Sequence, residues 1–273
     1  MNSKKLLLGT AISAAMLLAA PMASACSLSA WTSTNGTPIA GEPTDGTPVA
    51  RYAGSCGMQA DAVGDYVVDG TPTGEASYNA RFYYYTGNRT GDANIFEARS
   101  SNGATNLPIR VQHDGTSLIF STNGSATTRT VAVTDDRWYS IELEWTASAT
   151  GSLNITVTGA GSLTPLNTPA ITGVSNASDT IEEARLGLVT GSGAGAVNFD
   201  AFDSRRTTQP GRLCVGDAVP DGVRNVFDIG GIIGEINATS LSAGQPDVTE
   251  DGFMNVFDLG AIIPLINGTP ACP

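Results

Sequence analysis

The sequence predicts a mainly β chain, an antiparallel sandwich of short strands followed by a small helical unit written twice. Three observations carry that expectation. From about Ser77 to Asp203 apolar residues recur with period two between clusters of turn residues. Near the C-terminus "DGVRNVFDIGGII" and "DGFMNVFDLGAII" repeat one phrase thirty residues apart. Between the two regions "SRRTTQPGR" has no apolar period and holds Pro210 and Gly211, which reads as a linker. The expected divisions are residues 1–25, a sandwich over 26–206, a linker over 207–215 and the doubled unit over 216–273.

The chain opens with two basic residues, Lys4 and Lys5, an apolar run from Leu6 to Ala20, and small residues at Ala23 and Ala25. That is the pattern of a secretory signal, too short to span a bilayer, and no later stretch is longer. The chain is therefore expected to be secreted, with about 248 residues after the cut. A lipid anchor through Cys26 is the alternative, disfavoured because it would leave three cysteines in an oxidising compartment. Both lysines fall in the leader, so the remainder carries 12 arginines against 26 acids, a net charge of −14. Such a surface repels nucleic acid and anionic membranes, and neither is an expected partner.

The strand-like runs are "NARFYYYT", "NLPIRVQHDGTSLIFST", "TRTVAVT", "RWYSIELEWTA", "GSLNITVTG", "ARLGLVTG" and "AVNFDAFDS". Asp114-Gly115 marks a hairpin in which both turn residues favour positive φ. In "WYSIELEW" the residues Tyr139, Ile141, Leu143 and Trp145 share one face, and Trp138, Ser140, Glu142 and Glu144 the other; Leu153, Ile155 and Val157 repeat the pattern. One-sided strands in this number pack as two antiparallel sheets. "GSLTPLNTPAITGVSNASDT" reads as a loop. With "ARLGLVTG" and "AVNFDAFDSRR", these strands resemble the concanavalin A-like, laminin-G-like jelly-roll family over residues 26–206. That resemblance implies the fold and leaves the activity open.

Aligned at an offset of thirty, residues 217–237 and 247–267 are identical at twelve of twenty-one positions. In each copy Asp stands at positions 1, 5 and 12 of a twelve-residue loop, Asn at 9 and Gly at 6. This is the spacing with which a turning loop wraps oxygens around Ca2+, the carbonyl at position 7 adding another. Behind the loops Ile229, Ile232, Ile233 and Ile236, and Leu259, Ile262, Ile263 and Ile266, fall at i, i+3, i+4, i+7 and predict one helical face each. The doubled unit resembles a dockerin, the paired Ca2+-loop module that plugs secreted proteins into cohesin modules. Carried onto this chain, the resemblance implies two Ca2+ sites and a cohesin-like partner. The first site draws on Asp217, Asp221, the carbonyl of Val223, Asn225 and Asp228. The second draws on Asp247, Thr249, Asp251, the carbonyl of Phe253, Asn255 and Asp258. Val219 stands at position 3 of the first loop where a dockerin usually has asparagine, so the first site is expected to be the weaker. Positions 10 and 11 are Val-Phe in both copies, where many cohesin-binding dockerins carry polar recognition residues.

The four cysteines fall in two pairs, one at the start of the sandwich and one flanking the doubled unit. Cys26–Cys56 and Cys214–Cys272 are the expected bridges. A single histidine, His113, excludes multi-histidine zinc sites and makes a Ser-His-Asp triad improbable; it reads as an ordinary strand-end side chain. The E-x-D-x-x-E strand motif of laminarinase-type members of this fold is absent. Glu142 and Glu144 come nearest to the carboxylate pair, about 5–5.5 Å apart, that a retaining glycosidase needs, and strand alternation alone accounts for them. No catalytic residue is assigned. Trp138, Tyr83 and Tyr85 on the polar faces of their strands are candidates for stacking on sugar rings, with inter-sheet packing as the competing reading. The expected function is a secreted, non-catalytic β-sandwich that binds a glycan or other surface and carries a calcium-dependent assembly module. A polysaccharide-degrading enzyme and a structural matrix protein are the alternatives.

Overall fold

The computed structural model describes residues 26–42, 49–100, 106–166, 168–268 and 271–272. The expected secretory leader, residues 1–25, lies outside them. The strands are β1 (Ser33–Asn35), β2 (Ile39–Gly41), β3 (Gly57–Ala60), β4 (Tyr66–Asp69), β5 (Ser77–Tyr85), β6 (Ala93–Arg99) and β7 (Ile109–His113). There follow β8 (Ser117–Ser121), β9 (Arg129–Ala132), β10 (Trp138–Thr146), β11 (Gly151–Gly159), β12 (Ile171–Val174), β13 (Glu183–Gly191) and β14 (Val197–Arg205). Two helices close the chain, α1 (Val226–Ile236) and α2 (Val256–Gly268).

The strands form two seven-stranded sheets, antiparallel throughout. Sheet A runs β1-β4-β13-β6-β7-β8-β9 and sheet B runs β12-β11-β10-β5-β14-β3-β2. This is the predicted sandwich, and alternation explains its core. Phe82 and Tyr84 of β5, Tyr139 to Trp145 of β10 and Leu153 to Val157 of β11 send alternate side chains inward. They meet Phe96, Ile109, Val111, Leu118, Phe120 and Leu186 of sheet A. Each such side chain contributes about 1.5–3 kcal/mol by leaving water.

Six strands exceed the sequence reading. β1 to β4 have three or four residues each, too few to show a period. β12 sits inside the Thr- and Pro-rich stretch expected to be a loop. β6 carries a register shift between Asn94 and Phe96, so Ile95 and Phe96 are both buried and the alternation is broken. The hairpin after His113 is present, yet only Gly115 has positive φ. Asp114 instead takes the amides of Thr116 and Ser117 on its carboxylate.

His113 is not an ordinary strand-end residue. It is fully buried, and its Nδ1 lies 2.8 Å from the Tyr84 hydroxyl. Both expected bridges, Cys26–Cys56 and Cys214–Cys272, are formed. The first leaves the Cys26 sulfur no valence for a lipid thioether, which removes the anchored alternative in this state. No helix among the described residues is long and apolar enough to cross a membrane.

Each helix starts inside its loop, three residues before the apolar period. Asn225 caps α1 in a reciprocal box with Asp228, satisfying two amides that a helix start leaves open. Ile232 and Ile262 are completely buried against Val215, Ala218 and Val248, with Ile229, Ile236, Leu259 and Ile266 around them. Ile233 and Ile263 do not share that face. They are 43% and 52% exposed, because two helices crossing at one small core use a narrower stripe than the period allows.

Candidate metal centre

The two loops repeat one set of backbone-to-carboxylate hydrogen bonds. Asp217 accepts the amides of Asp221 and Gly222; Asp247 accepts those of Asp251 and Gly252. Asp221 and Asp251 each take the amide two residues on. Asp228 holds Val219 and Asn225 by their amides, and Asp258 holds Thr249 and Asn255. Asn225 and Asn255 turn their amide nitrogens toward the carbonyls of Val223 and Phe253. Their carbonyl oxygens cap the helices through Phe227 and Phe257. Sequence spacing therefore predicted a real geometric repeat, with three carboxylates held in place by backbone donors in each copy.

Four of those carboxylates, Asp217, Asp228, Asp247 and Asp258, are buried. Burial pushes Asp247 up to about 7, helped by the charges of Asp258 and Asp251. Burial also raises Asp258 and Asp217, the latter with Asp228 and Asp221 adding repulsion against its backbone hydrogen bonds. A hard divalent cation relieves this repulsion, and an all-oxygen donor set on a turning loop suits Ca2+. Position 3 distinguishes the copies. Thr249 Oγ1 lies 3.1 Å from Asp258 Oδ1 and 3.4 Å from Asp247 Oδ1, so it sits among the donors. Val219 offers no oxygen there and is 41% exposed. Asn225 and Asn255, as oriented here, supply no oxygen to the loop centre directly, and position 9 commonly acts through water.

Around the second loop the sandwich closes in. Glu250, at position 4, is fully buried with φ +53. Its carboxylate receives Arg212 at 2.5 Å, the Tyr52 hydroxyl at 2.8 Å and the Gly161 amide at 2.9 Å, and its carbonyl accepts the Trp138 amide. Asp200 fixes Tyr52 from below by accepting the amides of Tyr52 and Ala53. A second buried pair, Arg51 with Glu235 at the end of α1, ties the same surfaces together.

This packing decides the fate of the proposed sugar platform. Tyr83 and Trp138 are completely buried and Tyr85 nearly so, in a cluster with Tyr52 and Leu213. Tyr52 stacks on Tyr83 with ring centroids 3.7 Å apart, and the Gly252 backbone lies on the Tyr85 ring. The polar-face aromatics are thus an interface inside the chain. They are not exposed to a glycan in this state. Alternation correctly put them outside the sandwich core, but it could not show that another part of the chain covers them.

The stretch read as a plain linker completes the cover. Gly211 accepts Arg81, the Leu213 amide donates to the Tyr83 hydroxyl, and Gln209 donates to Glu144. Burial raises Glu142 above the usual carboxylate range, while Arg81, the Gly211 amide and Arg212 pull it back. The two glutamates nearest to an acid pair are half-buried beside these residues. A concavity lined by the sandwich alone is elsewhere, a cleft of about 480 Å³ whose lining includes Trp31, Met58, Asp69, Phe202 and Asp203. Trp31 is half-buried and lies 5.1 Å from Phe202, ring to ring. Neither residue was singled out from sequence, since Trp31 precedes every recognisable strand.

No family model matches the sequence, and no curated protein matches it. Among solved structures, an endo-β-1,4-glucuronan lyase from the fungus Trichoderma reesei is similar at TM-score 0.47 and 13% identity, over 66% of this chain and 92% of that one. Cellulose induced protein Cip1 is similar at TM-score 0.43 and 14% identity, over 66% and 91%. The binding domain of botulinum neurotoxin serotype D is similar at TM-score 0.42 and 8% identity, over 62% of this chain and 43% of that one.

Proposed function

We propose that the chain is a secreted, non-catalytic β-sandwich protein that joins a larger assembly through a dockerin-like unit loaded with two calcium ions. The observation that carries this reading is the repeated pattern in which each loop holds three carboxylates by backbone amides. The partner is a cohesin-like protein module. Supporting it, Val226, Phe227 and Ile233 of one unit and Val256, Phe257 and Ile263 of the other are all exposed. The same three positions of both repeats thus present apolar side chains, a concentration unusual for a solvated surface. The test is calorimetric titration of calcium into the chelator-treated full chain, then of cohesin-like modules into the loaded protein. Two sites with the first loop weaker, and partner binding lost in Phe227→Asp with Phe257→Asp, are expected. Absence of calcium binding refutes the reading.

For the sandwich itself the proposed ligand is a polysaccharide or other extracellular surface, taken in the cleft beside Trp31. Its size suits a few sugar rings, and it combines an aromatic wall with the carboxylates of Asp69 and Asp203. Retention of the full chain on insoluble polysaccharides, weakened in Trp31→Ala and unaccompanied by released reducing sugar, is the expected result. Sugar release would restore the enzyme alternative.

A further inference from the structure

The two loops share their spacing and their backbone-to-carboxylate hydrogen bonds, but they face different surroundings. Gly222, at position 6 of the first loop, has open space where a Cβ would stand. Gly252, at the same position of the second, would drive a Cβ to 2.7 Å from the Tyr85 ring of β5. Position 4 diverges as well. The first loop has Pro220, which is exposed and whose ring forbids positive φ. The second has Glu250 at φ +53, a conformation unfavourable for any residue but glycine that persists where the surroundings demand it. Here they do: that backbone turn sends the carboxylate to Arg212, Tyr52 and Gly161 and the carbonyl to Trp138. Asp251 continues the contact, its carbonyl 3.4 Å from the Tyr85 hydroxyl and its carboxylate 3.6 Å from Arg137. Residues 247 to 252 therefore serve two surfaces at once. Asp247 and Asp251 are ion ligands in the reading above, and Glu250 between them is the plug into sheet B.

We propose that calcium in the second loop is the fastening that holds the C-terminal unit on the outer face of sheet B, while calcium in the first loop serves that unit alone. The proposal rests on the calcium reading of the loops. The ion acts on this chain's own residues: by drawing Asp247 and Asp251 together it fixes the turn on which Glu250 is carried. Without it, the crowded carboxylates of the loop oppose that turn, and the plug is held by its sandwich contacts only. The repeats thereby differ at positions 4 and 6, which meet the sandwich in the second loop and stand in the open in the first.

Amide hydrogen exchange on the full chain tests this, because two sandwich amides, Trp138 and Gly161, donate to Glu250 and report the plug directly. Adding calcium to the chelated protein should raise their protection at least tenfold. The gain should persist in Asp217→Asn, which disables the first loop, and vanish in Asp247→Asn, which disables the second. Neither aspartate has a hydrogen bond to the sandwich among those described, so neither variant removes a direct bond between the two surfaces. The Val219 amide, held by Asp228 in the first loop, should respond in the opposite manner and shows that each variant acts where intended. Should Asp247→Asn fail to fold, the calcium dose dependence in wild type decides instead, since Trp138 and Gly161 must follow the tighter of two calorimetric sites. Calcium binding at both loops with unchanged protection at Trp138 and Gly161, or equal loss in both variants, overturns the fastening and leaves the loops as calcium sites. No calcium binding overturns both.

Discussion

Replacing Glu250 with alanine removes a charge from the place where Arg212, Tyr52 and Gly161 converge on it, and the structure sets the size of the penalty. The side chain is fully buried and its ion partner Arg212 is 11% exposed at the side chain. Truncating one member of such a pair leaves the other charge buried and costs about 3–5 kcal/mol. Part of that is the Tyr52 hydroxyl, itself completely buried, which would be stranded at a cost of about 1–3 kcal/mol. Two internal controls follow. Tyr52→Phe should be costly in wild type and nearly neutral beside Glu250→Ala, since the two share one hydrogen bond. Glu250→Gly should recover about 1 kcal/mol relative to alanine, because glycine tolerates φ +53. Urea unfolding of the calcium-loaded chain, followed by near-ultraviolet dichroism, is the assay. A midpoint shift of about 1–2 M is expected for Glu250→Ala. A loss below about 1 kcal/mol, or full additivity with Tyr52→Phe, would refute the account of a buried plug.

Acid should act through His113, which burial holds down to about 4, with Asp114 and Asp135 opposing and Arg89 assisting. A histidine depressed from about 6.5 gives stability that is fully present above that value and is lost as pH falls toward 4. The loss is about 2 kcal/mol at pH 5, and it should be absent from His113→Gln when unfolding is compared at pH 7 and pH 5. Position 3 should govern the calcium sites: Thr249→Val weakens the second about tenfold and Val219→Asn strengthens the first comparably, both read by calorimetry. Cys272→Ser opens a bridge that spans 58 residues, and the unfolding free energy of the C-terminal unit should fall by about 4 kcal/mol in the chain-entropy account.

How far the sequence carried depended on whether the governing interaction was local. Alternation along β10 and β11 identified their buried faces residue by residue, because a strand's period is an intrinsic property of the backbone. The repeated hydrogen bonds of the two loops were legible for the same reason, since twelve consecutive residues set them. β6 was missed because its bulge breaks the very period being read. The misreading of Trp138, Tyr83 and Tyr85 has a different origin. Their outward direction was correct, and what covers them is Leu213 with the loop around Glu250, more than seventy residues away for Trp138. Nothing in a single strand records what its outer face meets. Position 4 is one of nine at which the repeats differ, Pro220 against Glu250, and it is where the second repeat enters the sandwich surface. Ile233 and Ile263 show the complementary limit, as helical period marks a face without stating its width.

The Cys214–Cys272 bridge, with Val223 paired to Ala271 beside it, turns the C-terminal unit into a covalent ring with its root at the sandwich. This changes how the unit bears tension. For a load applied at Phe257, the open chain back to Cys214 would be 43 residues, able to stretch to about 150 Å once its folds give way. With the bridge closed, the load reaches Cys214 through Cys272 after 15 residues, about 50 Å. At Phe227 the direct path is 13 residues, about 45 Å. The ring makes the two helices equally short tethers, so the same apolar position in either repeat can be pulled without paying out a long slack chain.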